Sequence, residues 1–117
     1  MDTVRLEKHE ISALGNIFEE RLYNTSAELF YEGHIPHVGY ILIDGNVILG
    51  KKRKVKSELS PGTVIGVKEL MTNTPVSYFA RIYSGSKVFI LDRSSLKSLN
   101  QKQDPHLRPL IDKITTL

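Results

Sequence analysis

The segment whose residues could do chemistry is GTVIGVKELMTNTPVSYFAR, residues 62–81. A glycine is followed by a short helix-like piece, then by a proline, and then by a run with strand character. A helix that opens at a glycine presents unpaired backbone N–H groups, which suit a phosphate or another anion. The same order of residues also occurs in an ordinary connection between two strands. An anion site and a plain connection are therefore both open for this segment.

A second chemical feature is the basic run KKRKVK. It contains five cations, which are Lys51, Lys52, Arg53, Lys54 and Lys56. The formal net charge of the chain is +3, so the remainder of the molecule carries −2. The run fits contact with an acidic protein, a nucleic acid or an anionic lipid. It also fits a solvated hairpin tip that keeps strand edges from pairing. Nucleic acid is not the expected partner, because five charges on one loop make few phosphate contacts.

Catalytic and metal-binding patterns are weak. The chain has no cysteine and four histidines, which are His9, His34, His37 and His106. His34 and His37 lie close together, but no further cluster of ligands accompanies them, so we expect a surface loop and no metal. No Ser-His-Asp or paired-carboxylate arrangement stands out. We expect the protein not to be an enzyme.

These residues must be positioned by a mixed set of elements. Ile11, Leu14, Phe18 and Leu22 recur at spacings of three and four, which predicts a helix over residues 8–23. Short runs of β-forming residues separated by turn residues follow over residues 28–92, and Asp44–Gly45 suits a tight hairpin turn. Such spacing predicts an antiparallel barrel or jelly roll.

The end of the chain again has helical signals, which predict helices over residues 94–117. Ser94 is a candidate N-cap, and Asp104 with Pro105 forms a candidate cap and first turn. Pro109 indicates a later start for the second helix. Leucine and isoleucine recur at helical spacing near the end of the chain, at Leu107, Leu110, Ile111 and Ile114. We expect this apolar stripe to pack on the β-roll or to pair with a second copy.

The length of 117 residues suits a single domain, residues 1–117. Hydrophobic residues make up 40% and charged residues 25%, as in soluble globular proteins. No apolar run approaches the roughly 20 residues of a membrane helix, and the N-terminus lacks the apolar core of a signal peptide. We therefore expect a cytoplasmic protein.

The order of turns and strands resembles the cyclic-nucleotide-binding domain family, of the catabolite activator protein and protein kinase A regulatory subunit type. The segments that carry the resemblance are ELFYEGHIPHVGYILIDGNVIL, LSPGTVIGVKELM and SYFARIYSGSKVFILDRSSLKSL, and the matching glycines are Gly33, Gly45, Gly62 and Gly66. The resemblance covers about residues 8–117. It implies a mainly β, antiparallel jelly-roll barrel with an N-terminal helix and C-terminal helices. It also implies that residues 62–81 form the phosphate-binding cassette.

The resemblance also exposes two departures at the cassette. The family has a glutamate after the cassette glycine, where this chain has Val67, and an arginine where it has Val76. Ser77 is retained, and Tyr78 replaces a small residue at the pocket wall. Each lost charge-assisted hydrogen bond is worth about 1.5–3 kcal/mol, so binding falls on the order of a hundredfold or more. Lys68 is a new cation in the cassette, whereas Glu69 lies two positions late and is expected to face another side.

Two functional hypotheses follow. The first is a stand-alone, non-catalytic regulatory or signalling module with a degenerate cassette. It has no cofactor, does not bind cyclic AMP or cyclic GMP in the usual way, and contacts another protein or a second copy. The alternative is a sensor of an unusual cyclic nucleotide, a cyclic dinucleotide or another anion. That alternative depends on Gly66, Lys68 and Ser77, with the other cassette residues lining the site.

Overall fold

The computed structural model describes residues 4–101, 105 and 107–115. The helices in this part of the chain are α1 (Lys8–Ala13), α2 (Val67–Thr72), α3 (Arg93–Gln101) and α4 (Arg108–Thr115). The strands are β1 (Val4–Arg5), β2 (Glu19–Leu22), β3 (Ala27–Phe30), β4 (Val38–Asp44), β5 (Val47–Lys51), β6 (Lys54–Leu59), β7 (Thr63–Ile65), β8 (Phe79–Ile82) and β9 (Lys87–Asp92). None of these helices combines the length and the apolar character needed to cross a bilayer.

The strands form two antiparallel sheets. One sheet has the order β1-β7-β4-β9-β2, and the other has the order β3-β8-β5-β6. This confirms the mainly β, antiparallel fold predicted from the sequence. No pairing among the described strands joins the two sheets, so the predicted jelly-roll barrel is not closed. The architecture is a jelly-roll sandwich with its helices outside.

The expected hairpin at Asp44–Gly45 is a corner between the sheets. β4 pairs with β7 and β9, whereas β5 pairs with β6 and β8. Gly45 has a φ of 96°, and an added Cβ there would overlap Ser86. The N–H of Asn46 donates to the Oγ of Ser86 at 3.0 Å. The corner is therefore fixed by close approach to a neighbouring turn, and glycine is required on both counts.

The predicted helix over residues 8–23 is wrong beyond its first part. α1 ends at Ala13, and residues 19–22 form strand β2, which pairs with β9. Leu14 and Phe18 are buried, as the apolar stripe predicts, but Leu22 is 50% exposed. The apolar spacing therefore continues beyond the end of α1, where the backbone is no longer helical. Residues 19–22 form their backbone hydrogen bonds with β9 instead.

The C-terminal helices also begin at other residues than the predicted caps. α3 begins at Arg93, and its first turn is capped by Asp92, whose Oδ2 accepts a hydrogen bond from the N–H of Ser95 at 3.4 Å. Asp104 lies outside the described residues. α4 begins at Arg108 with Pro109 in its first turn, where the missing N–H costs no intrahelical hydrogen bond.

The core has two layers, one on each face of the five-stranded sheet. Ile41 of β4 faces the helices, whereas its neighbours Tyr40 and Leu42 face the other sheet. This alternation is the period of two that a strand buried on both faces requires. Leu110, Ile111 and Ile114 of α4 are buried in the helix-side layer. The apolar stripe of α4 is therefore satisfied within the same molecule.

Candidate functional site

Gly66 begins the candidate cassette as the residue before α2. Its φ of 77° lies in the left-handed region, which favours glycine. An added Cβ would overlap the ring of Phe30. Gly66 is buried, so the space beside its α-carbon is occupied by an aromatic ring rather than left open. The cassette glycine is therefore required both by its backbone and by packing.

Val67, which stands where the resemblance places a glutamate, points into the helix-side core. It is fully buried, and its Cγ2 lies over Gly39, where an added Cβ would be only 2.8 Å away. A carboxylate at this position would be buried without a partner, which is costly. Val67 and Leu70 therefore anchor α2 to the sheet and present no polar group to the cassette.

Tyr78 is the side chain that reaches the N-terminus of α2. It is 7% exposed, and its hydroxyl donates a hydrogen bond to Oε1 of Glu69 at 3.4 Å. Burial raises the pKa of Tyr78, and the charge and hydrogen bond of Glu69 raise it further, whereas the backbone of Gly66 acts in the opposite direction. The phenol therefore stays neutral, and it lies beside Gly66, where the resemblance places a phosphate.

An aromatic cluster around Phe30 fills the rest of this region. The ring of Phe30 meets that of Tyr40 at 5.4 Å and that of Tyr78 at 6.4 Å, both edge to face. Burial raises the pKa of Tyr40 to about 12, and Tyr23 adds to the shift. Sequence reasoning missed Phe30 and Tyr40 as site residues. The available signal was their place in predicted strands that flank the family glycine Gly33.

Val76, at the position of the missing arginine, is buried and offers no charge. Its N–H donates to the carbonyl oxygen of His34 at 2.9 Å, and its own carbonyl oxygen accepts from the N–H of Gly33 at 2.8 Å. Arg81 does not replace the missing cation, because it forms an ion pair with Glu28 at 2.6 Å. The hydrogen bond that Arg81 donates to Glu28 raises the pKa of Arg81.

The predicted cassette residues therefore separate into three groups. Gly66, Tyr78 and Glu69 come together at the start of α2, and Val67 and Val76 are buried. Lys68 and Ser77 are exposed and make no polar contact with the first group. The carboxylate of Glu69 would repel an anion that approached the N–H groups of α2. Chemically, this arrangement supplies its own hydroxyl where an anion would otherwise bind.

By sequence, no protein-family model and no curated protein matches the chain. By structure, it is similar to the Thermus thermophilus catabolite activator protein, with a TM-score of 0.70 and 22% identity over 91% of this chain. It is similar to a protein of a cyclic-GMP-dependent signalling pathway in bacterial phytopathogenesis, with a TM-score of 0.75 and 20% identity over 92% of this chain. It is also similar to cAMP-bound PfPKA-R, with a TM-score of 0.65 and 26% identity over 92% of this chain. This chain has a cyclic-nucleotide-binding-domain fold.

The family resemblance seen in the sequence is thereby confirmed for the fold. The chain spans 50% of the Thermus protein, 39% of the PfPKA-R chain and 89% of the signalling protein. It therefore corresponds to one domain of the two longer chains.

The basic run forms the tip of the β5–β6 hairpin on this cyclic-nucleotide-binding fold. Lys52 and Arg53 make the turn with φ values of 52° and 67°. All five cations of the run are exposed. The N–H of Lys52 donates to Oε1 of Glu32 at 2.9 Å, which joins the tip to the loop after β3. That loop also forms backbone hydrogen bonds with Val76 of the candidate cassette, through Gly33 and His34.

Two further features lie near α1. The carboxylate or imidazole atoms of Glu7, His9 and Glu10 lie within 4.8 Å of one another. Glu10 already accepts from Lys113 at 2.8 Å and from the N–H of Glu7 at 2.9 Å, so the group is a surface charge cluster. A groove of about 650 Å³ adjoins it and is lined by Arg5, Leu6, Glu7, Lys8, Ile11, Ile43, Pro61 and Lys113.

Proposed function

We propose that this chain is a non-catalytic regulatory or signalling domain whose phosphate cassette is occupied by its own side chains. In this proposal it does not bind cyclic AMP or cyclic GMP in the usual way, needs no cofactor and acts through contacts with another protein or a second copy. The observation that supports it is the Tyr78 hydroxyl at the start of α2, with the Phe30 ring packed against Gly66.

The energetic case has two parts. A cyclic phosphate would gain no ion pair at the position of the missing arginine, because Val76 is uncharged and buried and Arg81 is bound to Glu28. It would also have to displace Tyr78 from a largely apolar site, which exposes aromatic surface at about 25 cal/mol per Å². The missing ion pair and the cost of displacing Tyr78 both weaken the binding of a cyclic nucleotide.

The regulatory part of the proposal is supported by the structural neighbours, which include a catabolite activator protein and a cyclic-GMP signalling protein. In this proposal the domain keeps the fold of such proteins and passes signals through its surface. A second copy that pairs through α4 would have to use another face, because Leu110, Ile111 and Ile114 are buried in the core. The location we propose is cytoplasmic.

A thermal-shift panel tests this proposal against the alternative of an unusual ligand. The panel contains cyclic AMP, cyclic GMP, cyclic dinucleotides and inorganic phosphate, each at about 1 mM. A ligand present at about 100 times its Kd stabilises a protein by ~2.7 kcal/mol, which raises Tm by several degrees. We expect no shift with any of them. A concentration-dependent rise with one member would identify a ligand and overturn the proposal.

A further inference from the structure

The hairpin tip and the loop after β3 form one continuous surface, which we call the tip surface (residues 31–35 and 51–56). The hydrogen bond from the N–H of Lys52 to Glu32 joins the two segments. Lys52 and Arg53 form the turn, and the side chains of residues 51–56 are all exposed. Five cations are therefore exposed at one hairpin end.

Apolar side chains are exposed on the same surface. Tyr31 is 58% exposed, Ile35 45% and Val55 59%. They are three of the five large hydrophobic side chains that are exposed in the described part of the chain. Val55 lies between Lys54 and Lys56 on β6, and its side chain points to the opposite face of the strand from theirs, so the hairpin tip carries an exposed aliphatic group with cations around it. Exposed aliphatic groups next to lysines fit an interface that is part apolar and part anionic.

The loop that carries Tyr31 and Ile35 is held in place. Backbone hydrogen bonds connect Gly33 and His34 to Val76, and the Tyr31 ring lies 5.5 Å from that of His34. The exposed apolar groups are thus presented by fixed backbone. The cost of ordering them at an interface is correspondingly small.

We propose that the tip surface binds an anionic lipid bilayer. In this arrangement Val55, Tyr31 and Ile35 enter the headgroup region while the cations of residues 51–56 contact lipid phosphates and carboxylates. Each lysine or arginine close to such a membrane strengthens the binding. Lipid headgroups are mobile, so the cations need not match a fixed arrangement of negative charges. The proposal is independent of whether the cassette binds a nucleotide.

The composition favours a bilayer over the two other anionic partners. Four of the five cations are lysines, which are depleted in the cores of protein interfaces. Binding of single-stranded nucleic acid uses several stacked aromatic side chains, and the described tip surface offers one exposed tyrosine, Tyr31, beside the imidazole of His34. The acidic groups beside the cations are Glu32, whose carboxylate already accepts from the N–H of Lys52, and Glu58 on β6.

Vesicle flotation with the whole chain tests the proposal. The probes are vesicles with about 30 mol% phosphatidylserine in phosphatidylcholine and vesicles of phosphatidylcholine alone. The test variants are Lys52→Gln/Lys54→Gln, which removes two tip charges, and Ile35→Ser/Val55→Ser, which removes two apolar groups. The matched control is Lys87→Gln/Lys97→Gln, which removes two exposed charges elsewhere. All four positions of the charge variants are exposed, so thermal melts should match that of the wild type.

We expect wild-type protein to float with the anionic vesicles, to stay unbound with neutral ones and to dissociate as salt rises. The tip-charge variant should bind about 30-fold more weakly, roughly fivefold for each charge. The apolar variant should also bind more weakly, and the control should stay within about twofold of the wild type.

Absence of flotation with anionic vesicles at low salt would overturn the proposal. Equal losses in the tip-charge variant and the control would do so as well. Tighter binding to a DNA or RNA duplex, in competition with the vesicles, would assign the surface to nucleic acid.

Discussion

At the residue scale, Phe30 and Tyr78 determine what the N-terminus of α2 can contact. Phe30 packs against Gly66, and the hydroxyl of Tyr78 donates a hydrogen bond to Glu69 on α2. Neither residue is unusual for a protein core. Their combined position fills the helix end that the resemblance assigns to an anion with an aromatic ring and a phenol.

Gly66→Ala tests this packing directly. The substitution forces an alanine into left-handed backbone, at about 1–2 kcal/mol, and adds an overlap with Phe30 at about 1–3 kcal/mol. Gly33→Ala is the matched control, because Gly33 has a φ of 89° and open space around it. Chemical unfolding should show Gly66→Ala to be less stable than Gly33→Ala by about 1–3 kcal/mol. Equal losses would mean that Phe30 does not occupy this space.

The sequence predicts the cassette and its two altered positions through the family resemblance, which matches Gly66, Val67 and Val76 by position. The sequence does not predict that Tyr78 and Phe30 fill the cassette. Glu69 was expected to face another side, yet it lies within hydrogen-bonding reach of Tyr78. That contact depends on side-chain rotamers and on Phe30, which lies 36 residues before Gly66 in the chain.

At the element scale, α1 and α4 are joined by one ion pair. Nζ of Lys113 lies 2.8 Å from Oε1 of Glu10, whose side chain is 18% exposed. The hydrogen bond from Lys113 lowers the pKa of Glu10 from its ordinary value of 4.5, the backbone of Glu7 lowers it further, and burial acts in the opposite direction. The pair therefore links the beginning and the end of the described chain.

Glu10→Gln should remove a pH-dependent part of the stability. A carboxyl group whose pKa is lowered by folding stabilises the protein above its unfolded pKa, and the effect is lost as pH falls through the folded pKa. The wild type should exceed the variant by about 0.5–1 kcal/mol at neutral pH, and the difference should vanish well below pH ~4. Urea unfolding across this range measures it. Glu20→Gln, which removes the more exposed Glu20–Lys87 pair, is the control. A pH-independent difference would argue against the pair.

The same scale shows where pattern reasoning fails. The stripe through Ile11, Leu14 and Phe18 fits a helix, but a buried turn can place Leu14 and Phe18 in the core equally well. Residues 19–22 become a strand because β9 offers a partner edge far away in the sequence. The residues Asp44–Gly45 predict a hairpin but form a corner between the sheets, because local turn chemistry does not specify which strands pair.

At the scale of the whole molecule, the positive charge is concentrated at the tip surface. The five cations of the tip exceed the net charge of +3, so the rest of the chain is slightly acidic. The candidate cassette carries the carboxylate of Glu69. The cluster of exposed cations at the tip therefore attracts anions at long range.

The most direct test of the central claim is a calorimetric titration of the wild-type chain with cyclic AMP and, separately, with cyclic GMP. A closed cassette without its two charged ligands should give no binding heat up to about millimolar nucleotide, which corresponds to less than ~4 kcal/mol of binding free energy. Saturable binding of one nucleotide per chain with a micromolar Kd would contradict the account, because it would require Tyr78 and Phe30 to leave the site at little cost.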